Sequence, residues 1–179
     1  MGWEAEIFSL LDDLEQQAES LYDADRAPEI ADRSRTEYQQ VTLAARLMAS
    51  IDRDVTLHVS GVGPLSGRLD RVANGWCLLA SPAGDWIIPL PALAAIDGAA
   101  DRAVPEIAWS PLSRLGLGSA LRHLADAGER CVLHRLDRVR HDGPLRRIGG
   151  DFVEVAEGDP PRITLVSFAT LAAVQSRDV

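Results

Sequence analysis

Five arginines between positions 135 and 147 form the strongest chemical feature of the sequence. Guanidinium groups bind phosphates and carboxylates through paired hydrogen bonds, so this cluster predicts a site for an anion, for RNA or for an acidic protein. Asp137 and Asp142 dilute the positive charge, and a solvated strand edge is the competing interpretation. The five candidate residues are Arg135, Arg138, Arg140, Arg146 and Arg147.

The charge of the whole chain opposes a broad affinity for nucleic acids. The net charge is -9, whereas sequence-independent binding to phosphates depends on positive charge. Residues 1–51 hold eleven acidic and four basic side chains, but residues 109–179 hold nine and ten. An anion site is therefore expected in the C-terminal part of the chain.

Other reactive side chains lack the spacing that chemistry requires. The four histidines do not have metal-ligand spacing, so no metal is predicted. The glycines of segment 61–67 open a strand and lack the Lys-Ser/Thr of a phosphate loop. No serine occupies a nucleophile motif and no carboxylate pair recurs as an acid and base, which predicts a protein without enzymatic activity or cofactor. Cys77 and Cys131 lie in apolar runs and are expected in the core, with a disulfide as the less favoured alternative.

An internal repeat indicates the elements that position these residues. Segment 67–79 matches segment 143–155 at an offset of 76 residues, and the offset grows to 78 where 93–96 matches 171–174. Around these matches, alternating apolar residues separated by Gly, Pro and Asn predict five short strands in each repeat. Helical spacing before each set predicts helices at about 29–50 and 112–126.

The repeated pattern resembles the Sm-like family of small β-barrels. It reads G-x-L-x-x-V/I-x-x-x-W/F-x-x-L/V, followed by an apolar strand and L-A-A-I/V. Gly67 and Gly143 lie inside the long second strand, where a missing side chain lets the strand bend. The resemblance implies an α+β fold with an acidic helical arm (1–34), a helix plus first barrel (35–104) and a helix plus second barrel (105–179). The RNA-contacting Asp, Asn and Arg-Gly residues of the family have no match at the family's spacing, so its RNA site is not carried over.

The acidic N-terminal segment carries an apolar stripe. Trp3, Ile7, Leu10 and Leu14 recur at helical spacing between acidic residues. A helix this short needs packing for stability, so the stripe is expected to lie against the second helix, a second copy of the chain or a partner.

The fourth strands of the two repeats differ in their ability to extend a sheet. Pro89 and Pro91 remove amide donors from the first, whereas the second, around Leu165, retains every donor. Sm-like barrels join by pairing fourth and fifth strands, so this difference predicts pairing through the second repeat and growth that stops at a dimer or at a pseudo-dimer within one chain.

These observations together predict a non-enzymatic binding or assembly protein that acts through protein–protein contacts or self-association. The alternative is an RNA-binding protein that uses the arginine hairpin. No run approaches the roughly 18 apolar residues of a membrane helix, and the start lacks a basic stretch before an apolar one. We therefore expect a cytoplasmic protein without membrane contact.

Overall fold

The computed structural model describes residues 38–177, and the arm residues Trp3, Ile7, Leu10 and Leu14 lie outside this range. Ten strands and two α-helices lie between Thr42 and Arg177. The helices are α1 (Leu43–Met48) and α2 (Leu117–Ala127). The strands are β1 (Asp54–Val59), β2 (Gly63–Ala73), β3 (Trp76–Ser81), β4 (Gly84–Pro89), β5 (Leu93–Asp97), β6 (Arg130–Arg135), β7 (Arg140–Ile148), β8 (Phe152–Glu157), β9 (Arg162–Ser167) and β10 (Leu171–Ser176).

All ten strands belong to one antiparallel sheet. Their order is β5-β1-β2-β3-β4-β10-β6-β7-β8-β9. Within this order the first five strands and the last five are paired in the same sequence, and the two sets meet where β4 pairs with β10. β5 and β9 form the two ends of the open sheet.

The predicted fold class is therefore wrong. The described strands form one continuous open sheet and not two tandem five-stranded Sm-like barrels, each preceded by a helix. Alternation of apolar residues determines which face of a strand is buried, but it does not determine which strand lies beside it. The pairing of β4 with β10 joins sets that the sequence pattern presents as separate.

The second helix is shorter than the sequence pattern predicts, and the structure describes only part of the segment predicted as the first. Of the segment predicted as the first helix (29–50), residues 29–37 lie outside the described range; within that range α1 covers six residues, and the side chain of Thr42 before it accepts a hydrogen bond from the Ala45 amide. Residues 111–114 form a 3-10 turn, and α2 begins only after the extended Gly116. α2 ends at Gly128, whose φ of 69° is the left-handed conformation that glycine adopts easily. Leu121 on its buried face joins the second core.

The long strands β2 and β7 change neighbours beside a glycine. β2 pairs with β1 through Gly63–Arg68 and with β3 through Arg68–Ala73. A Cβ on Gly67 would lie 2.2 Å from the Ala80 carbonyl oxygen, and a Cβ on Gly143 would lie 2.0 Å from that of Ala156. Only glycine permits this approach of two backbones.

Two hydrophobic cores fill the described chain, and each contains residues from both strand sets. Ala172 and Ala173 of β10 pack into the first core, which otherwise consists of α1 and the first strands. Trp76 and Ile87 pack into the second core, beneath α2. The two sets are therefore interlocked through β4 and β10. No helix within residues 38–177 has the length and apolar character that a membrane crossing requires.

Candidate functional site

The joint between the two strand sets is short and well buried. Val174 of β10 lies opposite Ile87 of β4, and Gln175 lies opposite Trp86. Ile87 is only 8% exposed. Pro89 lies beyond these paired residues, so its missing amide donor does not affect the joint. The prediction that this strand could not extend a sheet is wrong, because only the residues that face the neighbour need free donors.

Side-chain hydrogen bonds reinforce the joint. The Ser176 hydroxyl accepts a hydrogen bond from the Asp85 amide at 2.8 Å, and the Gln175 amide donates to the Ala83 carbonyl at 3.0 Å. Gln175 also bonds His134 at 3.2 Å, and the His134 ring lies 5.1 Å from that of Trp86. Burial lowers the pKa of His134, against the opposing effect of the Gln175 hydrogen bond. A neutral imidazole is therefore part of the joint at physiological pH.

The outer edge of β9 corresponds to the edge of β4 that is covered in the joint. Val166 pairs with Val153 in the second strand set, and Ile88 pairs with Cys77 at the matching place in the first. The residue before each of them is therefore equivalent, so Leu165 of β9 occupies the position that Ile87 has in β4. Leu165 is 61% exposed. Its neighbour on the same face, Ile163, is 51% exposed. β9 pairs only with β8 among the described strands, so its other edge lacks a strand partner there.

The outer edge of β5 corresponds in the same way to the edge of β10. Ala95 lies opposite His58 as Ala173 lies opposite His134. Ala172 and Ala173 are fully buried, whereas Ala94 and Ala95 are exposed. Each end of the sheet therefore exposes apolar residues whose counterparts are buried where the two sets meet.

The sequence singled out Leu165 as a self-association residue, and the structure places it on this free edge. Sequence reasoning named no residue of β5, whose exposed Ala94 and Ala95 are too small to attract notice. The signal that could have identified them is their match to Ala172 and Ala173 at the 78-residue offset.

The five arginines do not form one patch. Arg140 begins β7 and Arg146 and Arg147 lie near its other end, about 20 Å away at the rise of an extended strand. Arg135 pairs with Asp137 at 2.6 Å, and Arg147 pairs with Glu154 at 2.9 Å, which raises the pKa of Arg147. Arg138, Arg140 and Arg146 are exposed and have no ion pair within residues 38–177.

The acidic residues near the hairpin are engaged in pairs. Asp142 accepts hydrogen bonds from Arg130 at 2.9 Å and from Arg177. Partial desolvation opposes its ionisation, but these two arginines outweigh that effect and lower the pKa of Asp142. The pair ties β7 to the end of β10, so Asp142 stabilises the sheet and does not simply dilute a basic surface.

The two thiols are buried and separate. Burial raises the pKa of Cys77 to about 12, and burial together with the nearby Glu129 raises that of Cys131 to about 11. Both thiols are free, and at neutral pH they are almost entirely protonated and poorly nucleophilic. In the part of the chain that the structure describes, no cluster of three or more His, Cys, Asp or Glu side chains could hold a metal ion.

Comparison with protein families and with curated proteins finds no match for this chain. The Sm-like resemblance therefore stays a prediction from the sequence.

Proposed function

We propose that the protein is a non-enzymatic assembly protein whose chains join head to tail, with β9 of one copy pairing with β5 of the next. The observation that carries this proposal is the contrast between Leu165, 61% exposed, and its counterpart Ile87, 8% exposed. The pairing of β4 with β10 buries Ile87 inside one chain. A second copy can bury Leu165 by the same arrangement.

The register of the internal joint specifies the contacts between copies. Ile96 of β5 is equivalent to Val174 of β10. Ile96 lies opposite Leu57, and Val174 lies opposite Leu133 at the matching place in the second strand set. In the assembly Leu165 therefore lies opposite Ile96 of the second copy, and Thr164 opposite Asp97. Arg162 then lies diagonally across from Asp97, a separation of about 7–8 Å that long side chains span.

The charges on the two edges favour this occupant over an unrelated strand. Asp97 occupies the position of Gln175, and each of these side chains bonds the histidine on the neighbouring strand, His58 or His134. Where Gln175 donates to a backbone carbonyl across the joint, Asp97 offers a carboxylate. Arg162, exposed and without an ion pair among residues 38–177, supplies the complementary cation.

When β9 of one copy pairs with β5 of the next, the dimer still has a free β5 edge at one end and a free β9 edge at the other. Such an interface produces a ring where the rotation closes and a filament where it does not. Burying Leu165 and Ile163 contributes about 2–4 kcal/mol at the usual value for large apolar side chains. Backbone hydrogen bonds add to this, against the entropy lost on association.

The test is light scattering on wild type and on two variants that each block one edge. Leu165→Arg blocks β9, and Ala95→Arg blocks β5; each variant alone is expected to be monomeric. Mixed in equal amounts, they should form a heterodimer that does not grow, because each retains the edge that the other lacks. Leu112→Arg is the matched control, since Leu112 is 63% exposed but lies on neither edge.

Two results would reject the proposal. If the wild type is still monomeric at 100 times the concentration used for the variants, strand-mediated assembly is excluded. A 100-fold range in concentration corresponds to about 2.7 kcal/mol in the free energy of association. An Ala95→Arg variant that still dimerises would show that two β9 edges pair with each other and that β5 is not involved.

RNA binding through the arginine hairpin is the second candidate, supported by the exposed and unpaired Arg138, Arg140 and Arg146. It predicts modest affinity for single-stranded RNA that falls steeply with salt. An anisotropy titration at low salt with Arg138, Arg140 and Arg146 changed to Ser decides it, because binding unaffected by these changes excludes this surface. We further propose a cytoplasmic location, which the two free thiols support.

A further inference from the structure

A cavity of about 630 Å³ lies between α2 and the face of β3, β4 and β10. Leu78, Ile87 and Val174 line its floor and are successive partners in the sheet register. Ala120 and Leu124 of α2 form its roof. This volume and this apolar lining are typical of sites that bind small organic molecules.

A tryptophan ring contributes to the lining of the cavity. Trp76 is buried and its Nε1 donates a hydrogen bond to the Leu115 carbonyl at 2.9 Å. The polar atom of the indole is thereby satisfied, and the ring is held in one orientation. An indole in the lining favours a flat apolar group, because aromatic rings pack well against planar partners.

Three charged residues from different elements line the cavity. Arg71 of β2 lies opposite Leu78 in the register. Asp85 of β4 and Glu129, which follows α2, also line the cavity. Arg71 and Asp85 are two strands apart, a separation of about 10 Å between strand axes. None of the three has an ion pair within the described chain.

The second strand set shows what neutralises such an arginine. Arg147 matches Arg71 at the 76-residue offset, and it pairs with Glu154 at 2.9 Å. The position of Glu154 is occupied in the first set by Leu78. Arg71 therefore has an apolar neighbour where Arg147 has a carboxylate, and a guanidinium without an internal partner can bind an anion from solution.

We propose that this cavity binds a small flat amphipathic molecule with an anionic group at one end and an amino or hydroxyl group at the other. The anionic group pairs with Arg71, and the apolar body lies over Leu78, Ile87 and Val174 against Trp76. Asp85 and Glu129 accept hydrogen bonds from the amino or hydroxyl group. The site is independent of the β9 edge, since Leu165 and Ile163 are not among its lining residues.

The experiment is a fluorescence titration with 5-aminonaphthalene-1-sulfonate, which carries a sulfonate and an amine on opposite ends of a flat ring system. The protein is the full chain with Leu165→Arg, so that the exposed β9 edge does not take up the probe. Naphthalene-1-sulfonate and 1-naphthylamine serve as competitors that lack one polar group each. Both should compete at least tenfold more weakly than the complete probe, which corresponds to about 1.4 kcal/mol.

Three variants assign the binding to the cavity. Arg71→Gln removes the cation, and Leu78→Glu supplies the ion pair that Arg147 makes in the second set; each should weaken the probe at least tenfold. Arg146→Gln is the matched control, because it removes an exposed strand arginine that lies outside the cavity and has no ion pair in the described chain. The affinity of Arg146→Gln for the probe should equal that of the parent protein. Circular dichroism melts verify that all variants are folded.

Two outcomes overturn the proposal. Probe affinity within twofold of the parent in both Arg71→Gln and Leu78→Glu would mean that the probe binds elsewhere. Absence of binding by the parent protein at millimolar probe would mean that the cavity does not accept this class of molecule.

Discussion

Replacing Gly143 with alanine tests how closely β7 approaches β8 beside Gly143, where β7 changes its neighbour from β6 to β8. The new Cβ would lie 2.0 Å from the Ala156 carbonyl oxygen, although real Cβ contacts are essentially never shorter than 3.0 Å. The obstacle is backbone, so it cannot rotate away as a side chain would. One of the two strands must move by about 1 Å within a close-packed interior.

The cost of this substitution follows from the geometry. Inserting a methyl group into a packed core costs about 1–3 kcal/mol, and the backbone clash places Gly143→Ala at the upper end. For a chain of this size, a loss of about 1 kcal/mol in the free energy of unfolding lowers the melting temperature by roughly 2–4 °C. We therefore expect a decrease of about 6–12 °C, with a similar decrease for Gly67→Ala, whose Cβ would lie 2.2 Å from the Ala80 oxygen.

Thermal melts followed by circular dichroism measure the effect. Gly150→Ala is the control, because a Cβ there meets nothing within 4 Å and surface changes of this kind stay within about 0.5 kcal/mol. If Gly143→Ala melts within about 2 °C of the wild type, the close approach of β7 to β8 at this position is refuted.

Three further predictions concern the joint, the ion pairs and the arm. Burial lowers the pKa of His134, so neutral His134 contributes to stability above its ordinary pKa of about 6.5, and this contribution is lost as the pH falls below that value. Between pH 7 and pH 5 the melting temperature of the wild type should therefore fall more than that of His134→Asn. Equal decreases would contradict this. Asp142→Asn should lower stability by less than about 1 kcal/mol, because its pairs with Arg130 and Arg177 are partly exposed, and urea melts should show the difference shrinking in 1 M salt; a salt-independent loss would be inconsistent with an ionic origin. Deleting residues 1–24 should leave the sheet folded and the mass in light scattering unchanged, because assembly uses β9 and β5, but it should weaken partner capture in a pull-down; an unchanged set of partners would limit this segment to a structural role.

The positions of the strands could be predicted from the sequence because the relevant signals are local. Alternation of apolar residues and the turn residues between them located all ten strands, and the 76-residue offset identified Gly67 and Gly143 as equivalent. Both glycines do lie where one backbone approaches another. These features depend on residues that are near one another in the chain, so their consequences can be derived without knowledge of distant partners.

The joining of the strands depends on contacts between distant segments, and only the tertiary structure decides it. Ile87 and Leu165 are both apolar residues at equivalent strand positions, yet β10 covers one and leaves the other exposed. The missing amide donor of Pro89 does not disturb the joint, because the part of β4 that pairs with β10 ends at Ile87. Arg71 and Arg147 are likewise equivalent in sequence, but only Arg147 has a carboxylate neighbour. A local pattern specifies the face of a strand, whereas the free energy that selects its neighbour comes from burying surfaces that are almost ninety residues apart in the chain.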